Sequence, residues 1–200
     1  MHALIIAFTG AGISKASGIP TFEEMGDLRE KLDRFFAKKH PDEYKSIISQ
    51  MEKSFEEAVP NDGHIALAEY GVPVITMNID KLHTKAGSEH VLELHGTLPN
   101  IVLYGNQAPN YAKAFDLIWL LGKGDILLIV GTSYYTNIST MIKYTALGRG
   151  VTVVEINEDA EHKVREFLES NRSAVESWDK LMDRYDSRIN YYMEFGEEEC

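Results

Sequence analysis

Gly10-Ala11-Gly12-Ile13-Ser14-Lys15 follows, after Thr9, an apolar run from Ala3 to Phe8. Glycines at the end of a buried strand let backbone amides approach a phosphate, and Ser14 and Ser17 can open a helix whose N-terminus favours an anion. The spacing is not the dinucleotide fingerprint G-x-G-x-x-G, because Lys15 stands where the third glycine belongs. It is not a Walker A loop either, which needs Gly-Lys-Ser/Thr in sequence. Taken alone, the turn is as readily structural as nucleotide-binding. Asn78 and Asp80 form a second candidate group, two residues apart after an apolar segment. An amide and a carboxylate so placed suit a carboxamide and ribose hydroxyls, although Asp80 serves equally well as the N-cap of a helix holding Leu82 and His83. His95 closes another apolar segment. Imidazole titrates near neutral pH and can take a proton from a hydroxyl, yet a histidine at a strand end is more often structural.

These residues need a scaffold, and the hydropathy pattern supplies one. Short apolar segments at Ala3–Phe8, Pro73–Met77, Val91–Leu94, Ile101–Tyr104, Ile126–Val130 and Val151–Ile156 read as six strands. Helical spacing appears between them: Ala112, Phe115, Ile118 and Trp119 before the fifth, Ile138, Met141, Ile142 and Thr145 after it, with Gly148 as a stop. Alternation of this kind predicts an α/β, Rossmann-like fold with a mainly parallel six-stranded sheet and helices on both faces. Ligands in such folds bind beyond the carboxyl ends of the strands, which is where Asn78, Asp80 and His95 fall. Residues 23–60 break the alternation. Met25, Leu28, Leu32, Phe35 and Phe36 form one helical stripe; after Pro41, Tyr44, Ile47, Ile48, Met51 and Phe55 form another, and Pro60-Asn61-Asp62-Gly63 closes the section as a turn. An insertion after the first strand lies over the ligand crevice, so we expect a small helical lid within one domain spanning 1–200. Its apolar stripe is mainly core. The C-terminal section carries Val164, Phe167 and Leu168, then Val175, Trp178, Leu181, Met182 and Tyr185, an amphipathic face expected to dock on the sheet, and it ends in the acidic run Glu197–Glu199.

Composition narrows the partners. The chain has 200 residues, 44% hydrophobic and 26% charged, enough for one sizeable core. A formal net charge of −11 argues against nucleic-acid binding and fits basic, lysine-bearing peptides, though acidity mainly serves solubility. The single cysteine, Cys200, rules out an intrachain disulfide and a cysteine-ligated metal site. No segment approaches transmembrane length and no cleavable leader is evident, so a cytoplasmic location is expected and no membrane partner. The oligomeric state is left open.

Five segments occur in order: GAGISKASGIPTF from Gly10, TMNIDKLH from Thr76, Leu94-His95-Gly96, Gly131-Thr132-Ser133, and Ile156-Asn157. Together they resemble the sirtuins, NAD-dependent protein-lysine deacylases with signatures close to GAGxSxxSGIPxFR, TQNIDxLHxxAG, LHG, GTS and IN. Pro60 to Leu67 is similar to that family's PNxxHxAL helix, in which His64 would be structural. The resemblance implies NAD as co-substrate and an acyl-lysine peptide as substrate, with nicotinamide, lysine and O-acyl-ADP-ribose as products. It implies that Gly10, Ala11, Gly12 and Ser14 cradle the pyrophosphate, and that Gly131, Thr132 and Ser133 donate to phosphate and ribose. Asn157 would hold the adenosine ribose, Asn78 the ribose or water near nicotinamide, and Asp80 the carboxamide. Phe22 would shield the reacting ribose. His95 would be the general base that deprotonates a ribose hydroxyl, with Asn78 as its catalytic partner. The peptide would lie between Tyr104-Gly105-Asn106, similar to a Phe-Gly-Glu loop, and Tyr134.

Three departures stand out. Glu23 replaces the family's arginine, Met77 replaces its glutamine, and the four-cysteine zinc module after Leu-His-Gly is deleted, Gly96 leading through Thr97-Leu98-Pro99-Asn100 straight into Ile101. Neither zinc nor any other metal is therefore expected. A more open cleft would admit water, which keeps an NAD glycohydrolase or ADP-ribosyltransferase as the first alternative. A non-catalytic NAD or ADP-ribose sensor is the second, though it would have no need of His95.

Overall fold

The computed structural model describes residues 3–21, 23–133, 136–172, 179 and 181–187. Its central element is strand β1 (Ile5–Thr9), buried along its whole length. A 3-10 turn over Ala11–Ser17 follows, ending at Gly18 in the left-handed conformation. Then come three helices of the inserted section, α1 (Leu28–Lys31), α2 (Arg34–Lys39) and α3 (Pro41–Glu57), and helix α4 (Asp62–Glu69). The chain continues through β2 (Val74–Thr76), α5 (Leu82–Lys85), β3 (Val91–Glu93), β4 (Gly96–Thr97) and β5 (Asn100–Ile101). It closes with α6 (Tyr111–Leu120), β6 (Ile126–Val130), α7 (Asn137–Gly148), β7 (Thr152–Ile156) and α8 (Ala160–Ser170), beyond which residues 181–187 are helical.

The sheet runs in the order β3-β2-β1-β6-β7, and every pairing in it is parallel. Alternation along the central strands buries both faces. Leu4, Ile6, Phe8, Ile75, Leu127 and Ile129 pack against α6, α7 and Leu181, whereas Ile5, Ala7, Val74, Leu128 and Val130 pack against α4 and α8. That is why the strands read as continuous apolar runs. The chain leaves β1 toward β2 and β3, then returns to the other side of β1 as β6. The switch point therefore lies between β1 and β6, where ligands bind in open α/β sheets.

The α/β, Rossmann-like class is as expected, but among the described residues the sheet has five strands rather than six. The segment expected as a strand at Ile101–Tyr104 gives only a two-residue pairing, β5 antiparallel to β4, outside the main sheet. Gly96, at φ +68, turns the chain back on itself, and a Cβ there would meet the Asn100 carbonyl at 2.6 Å. The chain therefore cannot run on alongside β3.

The section expected as a lid also differs in its helices. The single stripe from Met25 to Phe36 breaks at Leu32–Asp33 into α1 and α2. There the Tyr104 amide donates to the Leu32 carbonyl and the Arg34 amide to the Tyr104 carbonyl, each at 3.1 Å, so lid and loop share a parallel bridge. The Asp33 side chain restarts the helix by accepting from the Phe35 amide. Leu32, Ile48, Met51 and Phe55 then pack on Ile79, Leu82 and Leu98, while Phe35 faces solvent. Lys85 caps the end of α3, its Nζ reaching the carbonyls of Phe55, Glu56 and Ala58 at 2.8, 3.0 and 3.2 Å. No helix among the described residues is long and apolar enough to cross a membrane. Val175 and Trp178 lie outside the described residues.

Candidate active site

At the switch point the loop after β1 and the loop after β6 meet backbone to backbone. The Gly10 amide donates to the Val130 carbonyl at 3.0 Å, the Gly12 amide to the Gly131 carbonyl at 2.8 Å, and the Gly131 amide to the Ile156 carbonyl at 2.8 Å. A Cβ on Gly12 would stand 2.6 Å from the Gly131 Cα, and one on Gly131, at φ +60, would run into the backbone of Gly12 and Ile13. Only glycine permits this approach, and it leaves a floor of bare backbone. Thr132 is anchored beside it by its amide, which donates to Asn157 Oδ1 at 3.1 Å. Above this floor opens a cavity of about 950 Å³ lined by Gly10, Ala11, Gly12, Asn78, His95, Gly131, Thr132, Ser133 and Asn157. A large pocket with a glycine floor and a few converging polar groups fits a dinucleotide.

Ser14 and Asp80 do not line this cavity; they are buried beneath it. The Ser14 hydroxyl donates to Asp80 Oδ2 at 2.7 Å, and its oxygen accepts from Asn78 Nδ2 at 3.1 Å. With its one proton committed to the carboxylate, Ser14 meets His64 Nε2, at 3.3 Å, as an acceptor, so His64 carries its proton on Nε2. The other oxygen of Asp80 accepts from the Leu82 amide at 2.9 Å, but the residue that caps α5 is Lys81, in the left-handed conformation, and not Asp80 as the spacing also allowed. Burial pushes the Asp80 carboxyl up despite these bonds. Next to this set, Thr9 donates to Thr76 at 2.8 Å and accepts from His83 Nε2 at 2.9 Å. The two imidazoles stack edge to face at 4.9 Å, and each has a buried Nδ1 with no partner. Neither ring can gain a proton without leaving a buried charge whose new Nδ1–H has no acceptor. Burial lowers the pKa of His64 to about 4, and burial together with His64 lowers that of His83.

His95 is placed differently. It follows β3 at the carboxyl edge, where the Leu94 amide donates to the Thr76 carbonyl and the His95 carbonyl accepts from the Val102 amide. Its Nδ1 lies 3.1 Å from the Met77 carbonyl. A carbonyl can only accept, so Nδ1 bears the proton and the lone pair sits on Nε2. Nε2 meets the Tyr111 hydroxyl at 2.8 Å. Burial lowers the His95 pKa, opposed by the Met77 contact, so the ring is neutral at physiological pH. Met77 itself lies between the two loops, its Sδ 3.4 Å from Thr136 Oγ1.

On the open side the cavity is lined by Glu23, Arg29, Tyr104, Gly105, Asn106 and Tyr111. The Arg29 guanidinium lies 5.2 Å from the Tyr104 ring centroid, a cation–π contact at the lid mouth. Glu24, beside Glu23, pairs with Lys15 at 2.7 Å and accepts from the Thr21 amide and hydroxyl, tying the entry of the lid to the glycine loop. The fold thus brings twelve of the anticipated residues to one cavity: Gly10, Ala11, Gly12, Asn78, His95, Tyr104, Gly105, Asn106, Gly131, Thr132, Ser133 and Asn157. Ser14 and Asp80 support it from below. Phe22 and Tyr134 lie outside the described residues. Sequence reasoning missed Tyr111 and Arg29, since an aromatic or a cation on an amphipathic helix signals nothing by spacing.

Known proteins resemble this chain in sequence and fold. The Sir2 family model matches residues 10–99. An NAD-dependent protein deacylase from Thermococcus sibiricus is 32% identical over 206 residues, covering 76% of this chain and 80% of the relative. The crystal structure of a Sir2 homolog–NAD complex superposes with a TM-score of 0.76 at 21% identity, over 88% of this chain and 91% of the other, which shows the fold. A Sir2 in complex with the inhibitor EX-527, 2′-O-acetyl-ADP-ribose and a deacetylated p53 peptide superposes with a TM-score of 0.72 at 25% identity, over 84% and 94% of the two chains. With 32% identity over most of both chains, and the same fold, this chain belongs to the Sir2 family, the sirtuins.

Proposed function

We propose that this chain is an NAD-dependent protein-lysine deacylase of the cytoplasm, converting an acyl-lysine peptide to lysine with release of nicotinamide and O-acyl-ADP-ribose. One observation carries the reading. A neutral histidine with its lone pair on Nε2 stands on the wall of a 950 Å³ cavity floored by glycine backbone. The relatives' names and the bound molecules of the solved structures support it.

In this reading Gly10, Ala11, Gly12, Thr132 and Ser133 hold the pyrophosphate, Asn157 the adenosine ribose, and Asn78 the nicotinamide end. What bound NAD supplies is the labile bond between nicotinamide and ribose. Asp80 and Ser14 act from beneath: their hydrogen bonds fix the Asn78 amide so that its orientation costs no reorganisation. His95 takes the proton of a hydroxyl, and neutral imidazole in a half-closed cavity suits that role. Tyr104, Gly105 and Asn106 form one wall for the peptide. The lid over residues 23–60, bridged to Tyr104, narrows the mouth and excludes water. We further infer one domain that works without a zinc module, because the β4–β5 turn joins directly what that module would separate.

The test is mass spectrometry of an acetyl-lysine peptide incubated with the protein and NAD. The reading predicts loss of the acyl group and equimolar O-acetyl-ADP-ribose. An unmodified peptide across a panel of acyl groups would overturn it.

A further inference from the structure

Tyr111 stands at the first position of α6, and the turn that carries it is held against the strand of the candidate base. Asn110 Nδ2 donates to the Glu93 carbonyl at 2.8 Å, two residues before His95. The Tyr111 and His95 rings pack with centroids 5.8 Å apart, and both line the cavity. The hydrogen-bond roles are forced. His95 Nδ1–H is spent on the Met77 carbonyl, so Nε2 can only accept, and the 2.8 Å contact is a bond donated by the Tyr111 hydroxyl. Imidazole has one lone pair on that nitrogen, and the tyrosine proton already occupies it. A substrate hydroxyl therefore finds the base covered. The phenolic oxygen, however, keeps acceptor capacity after donating its own proton.

We propose that Tyr111 is a proton relay for His95: its oxygen takes the proton of the reacting hydroxyl while its own proton passes to His95 Nε2. The balance closes, since one O–H bond breaks at the substrate, one re-forms at Tyr111, and one N–H bond forms at His95. Tyr111 ends as it began. His95 ends as the imidazolium, whose Nε2–H now donates to the Tyr111 oxygen, and a hydrogen bond to a charged group is the stronger kind. Tyr104, on the loop after β5, is the other titratable group acting on Tyr111.

The inference rests on the deacylase reading, and two measurements keep the two apart. For Tyr111→Phe, kcat of NAD-dependent deacylation should fall about tenfold or more while KM for NAD stays within about threefold. In the ligand-free protein, nitrogen NMR of His95 should show the Nδ1–H form, and its titration should move to lower pH in Tyr111→Phe because the imidazolium loses its acceptor. Where the wild type does deacylate, an unchanged or raised kcat in Tyr111→Phe overturns the relay, a raised one making Tyr111 a plug. If Tyr111→Phe does not fold, 3-fluorotyrosine at 111 keeps ring and hydroxyl but makes the hydroxyl more acidic, and the alkaline limb of the rate profile should move to lower pH; a limb that stays put overturns the proposal. A wild type with no NAD turnover sinks the deacylase reading instead, and an unmoved His95 titration then removes the pairing as well.

Discussion

Acid should destabilise this protein through two histidines that never touch substrate. His64 sits fully buried under the cavity with Nε2–H committed to Ser14 and Nδ1 facing no partner, and its pKa falls from 6.5 to about 4. The sign follows from linkage. The folded state resists protonation and the unfolded state does not, so stability is present above pH 6.5 and is lost as pH falls toward 4. For this shift the loss at pH 4.5 is about 2.5 kcal/mol, or roughly 5–10 °C in Tm for a chain of this size. His83, lowered by burial and by His64, adds to the same loss. Asp80 works the other way: its pKa is raised above 3.8, so the folded state gains as pH falls through its range. Urea unfolding at pH 7 and pH 4.5, for wild type and His64→Gln, separates these. Gln keeps an N–H toward Ser14 and removes the titration, so the variant should be less stable at pH 7 yet lose about 2.5 kcal/mol less on acidification. A wild-type stability that is flat over this interval, or a variant with the wild-type pH dependence, would refute the reasoning.

Other perturbations address the cavity itself. His95→Ala should lower kcat by about 10²-fold or more while calorimetric NAD affinity stays within about threefold; joint loss of both would make His95 structural. Gly131→Ala places a Cβ into the Gly12–Ile13 backbone at a left-handed φ. It should cost at least about 1–2 kcal/mol and abolish NAD binding, whereas Gly122→Ala, with open space around its Cβ, should do neither. Prolonged chelation should leave Tm and turnover unchanged; unfolding or loss of turnover would reveal a metal requirement.

What the sequence makes legible follows from what spacing can encode. Gly10, Gly12 and Gly131 announce themselves because glycine after a buried strand has a backbone reason to be there, and the structure shows backbone in van der Waals conflict with any substitute. His95 and Asn78 fall at strand ends, which topology carries to the sheet's carboxyl edge. Direction is another matter. Ser14 and Asp80 read as ligands of a dinucleotide, yet their side chains turn inward, since nothing in the order of residues says which way a hydroxyl points. The break at Leu32–Asp33 is invisible for a related reason. It depends on a backbone pairing of Asp33 with Tyr104, far along the chain, that overrides an unbroken helical stripe. The same holds for the sixth strand, which Gly96 turns out of the sheet. Tyr111 lies in an amphipathic helix where aromatic residues are ordinarily core, and only the 2.8 Å contact with His95 distinguishes it.

In the proposed reaction this cavity couples NAD cleavage to an acyl-lysine. Nicotinamide release from NAD, followed with and without an acyl-lysine peptide, tests that claim most directly. Release that requires the peptide is the predicted result. Release at the same rate without peptide, leaving free ADP-ribose, would mean that water is the acceptor and would contradict it.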